Sequence, residues 1–200
     1  MRCTGCGECC RGLRVPLTLA DLRRLGSATG LGAAELVEWA PPDEVDISGE
    51  PGSLVLLPQG RRVMLLAQRD GSCRFLDVES RCTVHAARPA ACRAYPLHAS
   101  FGERGGVKRL RVLRGIDCRY ELAGPPELAA IRREHLALRR ELAAHHEAVA
   151  SFNRSQTLRR RLGKRLATAE GFFSSCAVGA IAGGAQPQLS QPIRDMPMQP

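Results

Sequence analysis

Apolar positions recur along this chain with different spacings, and each spacing predicts a different element. Leu128, Ile131, His135, Leu138, Leu142, His145, Val149 and Phe152 advance in steps of three and four, the signature of one stripe on a helix. The spacing predicts a long helix over Glu127 to Phe152, opened by Pro125-Pro126. Upstream elements are shorter. Thr18-Leu19-Ala20-Asp21 has the form of a capping box and predicts a helix from Leu19 to about Leu25, stopping near Gly26. A second helix, over Ala33 to Ala40, is expected to end against Pro41-Pro42. The run SLVLLPQGRRVMLLAQ places two apolar stretches around Pro58-Gln59-Gly60-Arg61, a hairpin signal, and Asp70-Gly71 marks a further turn. Val107 to Leu113 sets Val107, Leu110 and Val112 among Lys108, Arg109 and Arg111, as a strand would.

These elements predict an α+β fold: a small cysteine-rich domain with short helices and a β-hairpin, followed by a long helix and a tail. The expected boundaries are residues 1–122 for the cysteine-rich, metal-organised domain and 123–170 for a helical extension carrying a basic segment. Residues 171–200 form a low-complexity tail, expected to be disordered from about Gly179, where Gly, Gln and Pro leave little to bury.

The chain has 200 residues and 44% hydrophobic content, enough for one ordinary core. No stretch reaches the ~20 apolar residues that span a bilayer. Cys3 arrives before any apolar leader segment could form, so a cytoplasmic location is expected. The formal charge of +9 is uneven: residues 151–200 carry seven Lys and Arg against Glu170 and Asp195. Six of those cations lie between Arg154 and Arg165. Without interleaved aromatics to stack bases, that run fits a solvated helix face or an acidic protein partner better than nucleic acid.

Nine cysteines change the picture most, because four of them fall within the first ten residues. In a reducing compartment such density points to metal binding or catalysis, and an odd count fits a closed disulfide set poorly. The spacing is Cys3-x2-Cys6-x2-Cys9-Cys10, then Cys73, Cys82, Cys92, Cys118 and Cys176 singly. A C-x2-C step lets a tight turn aim two sulfurs at one point, and C-x2-C-x2-C can wrap an iron–sulfur cluster. Structural zinc sites use paired knuckles, and the later cysteines here are unpaired, which tilts the cofactor toward iron–sulfur over structural zinc. Neighbouring side chains in extended backbone point apart, so Cys9 and Cys10 are expected to serve different metals. Cys176, in a small-residue segment, is expected to be a bystander.

The blocks CTGCGECC, GSCRFLD and CTVHAARPAACRAYP resemble the bacterial cysteine-cluster proteins with a zinc- or iron-chelating domain, whose motif is similar to that of flagellin lysine N-methylases. The resemblance runs from Cys3 to Cys118. It implies metal ligation by Cys3, Cys6, Cys9, Cys10, Cys73, Cys82 and Cys92, with Cys118 as the later cysteine of variable spacing. His85 stands where the family often has Tyr, which implies packing beside the ligands. Arg88, Arg93 and Tyr95 flank Cys92, and the guanidinium groups can neutralise thiolate charge through N–H···S contacts.

His135 and His145 lie ~15 Å apart along one helix, too far to share an ion, and are expected to be hydrogen-bonded or exposed. No phosphate loop, dinucleotide fingerprint or serine nucleophile elbow is present. Three functional classes follow: a chemically active metalloprotein, such as a protein-modifying methyltransferase-like enzyme; an architectural zinc module binding an acidic protein or nucleic acid; and a metal carrier.

Overall fold

A computed structural model describes residues 2–3, 6–46, 50–113, 120–121 and 128–178. Strand β1 (Arg2–Cys3) precedes helix α1 (Leu19–Thr29), whose capping box forms as expected: Thr18 Oγ1 accepts the Asp21 N–H at 3.2 Å, and Asp21 Oδ2 accepts the Thr18 N–H at 2.9 Å. The helix runs through Gly26 and stops at Gly30, whose φ of 72° only glycine adopts cheaply.

The expected helix over Ala33 to Ala40 is corrected. Helix α2 (Ala33–Leu36) gives way to strand β2 (Val37–Ala40). Val37 and Trp39 suit a pleated surface, and pairing decides the matter: Val37 lies opposite Leu66, and Ala40 opposite Val63. The hairpin is as predicted, with β3 (Val55–Leu57) and β4 (Gly60–Leu66) joined through Pro58-Gln59, and β4 central in the order β2-β4-β3. A small hairpin, β5 (Gln68–Arg69) and β6 (Ser72–Cys73), turns at Asp70-Gly71, both with positive φ. Helix α3 (Ala90–Ala94) carries Cys92. Strands β7 (Leu97–Phe101) and β8 (Val107–Val112) pair antiparallel, and β9 (Tyr120–Glu121) pairs with β1.

The long helix exceeds expectation: α4 spans Leu128–Arg161. Its buried stripe continues past Phe152 to Gln156, because polar side chains there complete the open edge of β3. Asn153 Oδ1 accepts the Leu56 N–H at 2.7 Å, Asn153 Nδ2 donates to Leu54 O at 2.7 Å, and Gln156 Nε2 donates to Leu56 O at 3.0 Å. Helix α4 therefore shields a strand edge that would otherwise be left open.

Helix α5 (Ala169–Ser175) follows, so the expected tail boundary at 171 falls inside a helix. Phe172 and Phe173 enter the main core; Phe172 meets Phe152 edge-on at 5.1 Å, and Phe173 lies 5.8 Å from Trp39. One apolar cluster thus joins α1, β3, β4, α4 and α5, so the helical segment shares its core with the cysteine-rich segment. The tail from Gly179 lies outside the described residues.

Candidate metal centre

The cysteine block is built from its glycine upward. Gly7 has a φ of 73°, and a Cβ there would stand 2.6 Å from the carbonyl oxygen of Ser80, so only glycine lets the two loops meet. The positive φ reverses the chain into a 3-10 turn over Glu8–Cys10, closed by the Cys10 N–H donating to Gly7 O at 2.9 Å. Arg11 then bridges to Ser72, and the Gly12 N–H donates to Gly71 O at 3.3 Å. This zips the N-terminal block onto the β5–β6 hairpin one residue before Cys73.

That pairing brings sulfurs together across the sequence. Cys10 hydrogen-bonds to both Cys9 and Cys73. The Cys10 thiol keeps its proton, and these two bonds push its titration far upward. Cys9 and Cys73, which accept from it, are lowered to about 6 and about 7 respectively. Lowered thiol titrations favour the thiolate form that ligates a soft divalent cation. The extended backbone expected at Cys9 and Cys10 is corrected: they sit on a tight 3-10 turn.

Cys82 is carried in by its own loop. Asp77 Oδ1 accepts the Glu79 N–H at 2.9 Å and the Arg81 N–H at 2.7 Å, and Leu76 bridges to Cys82. Burial raises the Cys82 thiol. Cys92 is pushed up to about 12, chiefly by burial and then by the negative charge of Cys9, Cys73 and Cys82. Helix α3 owes its place to Asp21, whose Oδ1 accepts the Ala90 N–H at 2.8 Å. Sequence reasoning read Asp21 as a helix cap and missed this second role, and it missed Gly7 and Asp77 as well. Only glycine's freedom at positive φ hinted at Gly7, and no local pattern encodes a bond from Asp21 to a residue so far downstream.

Among the described residues, no three thiol, imidazole or carboxylate groups stand as a closed donor set. The side chains of Cys3 and Cys118 lie outside the described residues. The backbone of Cys3 lies opposite Tyr120. The donor chemistry suits zinc or iron: several soft sulfurs, two of them with lowered titrations.

The flanking residues separate into two groups. Arg88 NH1 lies 2.9 Å from His85 Nε2, and the Arg88 charge lowers both Cys9 and Cys82, as a counter-charge to thiolates should. The same guanidinium lowers the His85 imidazole. Arg93 is engaged elsewhere: it pairs with Glu134 at 3.0 Å and Glu141 at 3.5 Å and donates to Arg88 O at 2.9 Å, clamping α3 to α4. Tyr95 lines the cleft beside the cysteines. Cys176, expected to be a bystander, caps α5, and its carbonyl accepts from Arg23 at 2.9 Å.

His135 and His145 depart from expectation. Both are buried, at 4% and 2% exposure, and His135 Nε2 and both ring nitrogens of His145 lack a hydrogen-bond partner among the described residues. The described helices include none long and apolar enough to cross a membrane.

A family model matches residues 2–111, more than half of the chain; it is CxxCxxCC, described as a putative zinc- or iron-chelating domain. The chain belongs to this family. No curated protein and no solved structure matches it significantly, and the likeness to flagellin lysine N-methylases is not shown.

Proposed function

We propose that this CxxCxxCC protein holds zinc or iron in a thiolate centre. Its ligands come from Cys3, Cys6, Cys9 and Cys10 on one side and Cys73, Cys82, Cys92 and Cys118 on the other. The observation that carries the proposal is the pairing of Arg11 with Ser72 and of the Gly12 N–H with Gly71 O, which lays the N-terminal cysteine block against the hairpin that bears Cys73. A thiolate-bound ion would supply folding energy, on the order of 10 kcal/mol for a structural zinc. It would also crosslink elements that share few large side chains. Arg88 and His85 serve beside the ligands, and Tyr95 and Arg93 fix the segment around Cys92.

A second reading, an iron–sulfur cluster, draws on the unpaired spacing of the later cysteines, since structural zinc sites use paired knuckles. Thiolate ligation suits a reducing compartment such as the cytoplasm. The basic segment Arg154 to Arg165, at the end of α4 and just beyond it, where Leu158 and Leu162 are also exposed, would meet an acidic protein in preference to nucleic acid.

Anaerobic purification with elemental analysis and visible spectroscopy tests the centre. Stoichiometric zinc in a colourless protein gives an architectural site, and iron with broad visible absorption gives a cluster. Cys10→Ser and Cys73→Ser should each lower metal content, whereas Cys176→Ser should not. Equal content in all three variants would remove the assignment.

A further inference from the structure

The last turns of α4 end in a fixed shape. The Leu162 N–H donates to Leu158 O at 3.0 Å, carrying the helical geometry one residue past Arg161. The Gly163 N–H then donates to Arg160 O at 3.2 Å and the Lys164 N–H to Arg159 O at 2.9 Å, and Gly163 has a φ of 65°. This is the Schellman closure, which satisfies carbonyls that a helix end leaves open. Leu158 and Leu162, four residues apart, therefore stand one above the other on one side of the helix, at 56% and 60% exposure. The opposite side, through Phe152 and Gln156, is buried.

One exposed leucine would ask for nothing. These two are stacked on a fixed turn among the six cations of Arg154 to Arg165, and no Asp or Glu occurs between Glu147 and Glu170. None of the six pairs with a carboxylate among the described residues. The helix dipole accounts for Arg159, Arg160 and Arg161 in the last turn, but not for Arg154 further back, nor for the leucines. A shallow groove of about 400 Å³ runs along the same face, with Ala150, Arg154, Leu158 and Arg161 in its lining. No residue lining it also lines the cleft beside the cysteines.

We infer that the acidic protein proposed for this segment docks through an amphipathic helix laid along the groove, its apolar row against Leu158 and Leu162 and its carboxylates toward Arg154 and Arg161. The inference rests on that proposal and adds the form of the partner. A row of residues four apart on one helix packs into the groove beside the matching row of another. An extended segment fits worse. The backbone groups of α4 are spent within the helix here, so a strand would bring N–H and C=O groups that find no partner, whereas a helix satisfies its own. Ser155 and Thr157 turn their hydroxyls back onto the carbonyl oxygens of Phe152 and Asn153, at 2.7 and 2.9 Å, which leaves recognition to charge and the two leucines. The closed helix end also means that little ordering is lost on docking.

Fluorescence anisotropy with a synthetic helix tests the idea on the full-length, metal-loaded protein. The probe is a labelled peptide of about 20 residues, above the length at which isolated helices are marginal. It carries leucines four apart, glutamates flanking them and alanine elsewhere. It should bind, and more weakly as salt rises from about 0.05 to about 0.3 M. One control peptide has glutamine for every glutamate, and another has the same residues scrambled off the helical period. Each control should bind at least about tenfold more weakly. The double variant Leu158→Ser, Leu162→Ser should erase the difference between ordered and scrambled peptides. Arg154→Gln and Arg161→Gln should each weaken binding severalfold, and metal content should match the parent in all these variants. Scrambled peptide binding as tightly as the ordered one, or ordered-peptide binding unchanged in the leucine variant, would overturn the helix and leave the acidic-protein reading standing. No binding of either acidic peptide would remove both. Vesicles of phosphatidylglycerol held through Leu158 and Leu162, with no peptide bound, would overturn the inference and assign the face to a membrane surface.

Discussion

Asp21 on the first helix accepts the backbone N–H of Ala90 at 2.8 Å, two residues before Cys92. The same carboxylate, 1% exposed, also accepts from the Thr18 N–H and hydroxyl, each at 2.9 Å, and from Arg24 at 3.1 Å. Arg24 continues to Glu141 on α4 at 2.8 Å, and Glu141 returns to Arg93 on the cysteine-bearing helix. A helix cap is therefore also the peg on which a proposed metal ligand hangs.

Asp21→Asn turns one acceptor oxygen into a donor facing other donors. It should lower stability by about 2 kcal/mol, the usual cost of leaving buried groups unsatisfied. Because it frees α3, it should also weaken zinc uptake measured by competition with a chromophoric chelator. Arg24→Ala, which leaves the Ala90 bond in place, should lower stability less and leave zinc affinity near that of the parent. Equal zinc affinity in Asp21→Asn and the parent would show that Cys92 does not depend on this peg.

Gly7 offers a sharper test of the junction between the two cysteine blocks. An alanine there meets both a φ of 73° and the Ser80 carbonyl oxygen at 2.6 Å, so the loops must separate. Gly12, also at positive φ, has open space around its Cβ position. Gly7→Ala should therefore reduce metal content clearly, while Gly12→Ala should cost only the backbone strain, about 1 kcal/mol. Elemental analysis of the two variants purified side by side decides the point.

How much of this was legible beforehand depends on how local each signal is. The capping box at Thr18 and Asp21, the turn at Asp70-Gly71 and the stripe from Ile131 to Phe152 are short-range patterns, and each appears where its residues predict. Val37 to Ala40 was misread as helix because its strand exists only through pairing with β4, contributed by residues far along the chain. The cysteine spacing pointed to metal binding, as the family match does. It could not tell that Gly7 would set Cys9 and Cys10 on a turn, since extended backbone was the simpler expectation. Nor could it show that the apolar body of α5 would sink Phe172 beneath Trp39 and Phe152.

Gln156 tests the attachment of the long helix. It is fully buried; its Nε2 donates to Leu56 O at 3.0 Å and to Ala167 O at 2.8 Å, and its Oε1 accepts the Ala167 N–H at 3.0 Å. One amide thus ties α4 to the edge of β3 and to the segment entering α5. Gln156→Leu keeps the volume and strands three backbone groups, so it should lower stability by roughly 2–3 kcal/mol. The amides of Leu56 and Ala167 differ in a useful way: Leu56 keeps its bond to Asn153, and Ala167 loses its acceptor. Hydrogen exchange in the variant should accelerate at Ala167 more than at Leu56.

His145 makes the protein's stability depend on pH in a direction that can be worked out. Burial first, and the neighbouring His146 charge second, lower its titration from 6.5 to about 4 in the folded chain. The fold therefore holds the neutral ring, and the unfolded chain binds the proton more readily. Stability from this group is fully present above pH 6.5, falls as the pH drops toward 4, and changes no further below that. The total is on the order of 3 kcal/mol. His145→Leu removes the titration and also two ring nitrogens that lack partners among the described residues, so at pH 7 the variant should be at least as stable as the parent. At pH 5 the difference should widen in the variant's favour. Denaturant midpoints for both proteins at pH 7.5, 6 and 5 measure it, with the solvent-facing histidine variant His98→Leu as the control. Parallel pH profiles for the parent and His145→Leu would mean that the ring is protonated as easily in the fold as in the open chain.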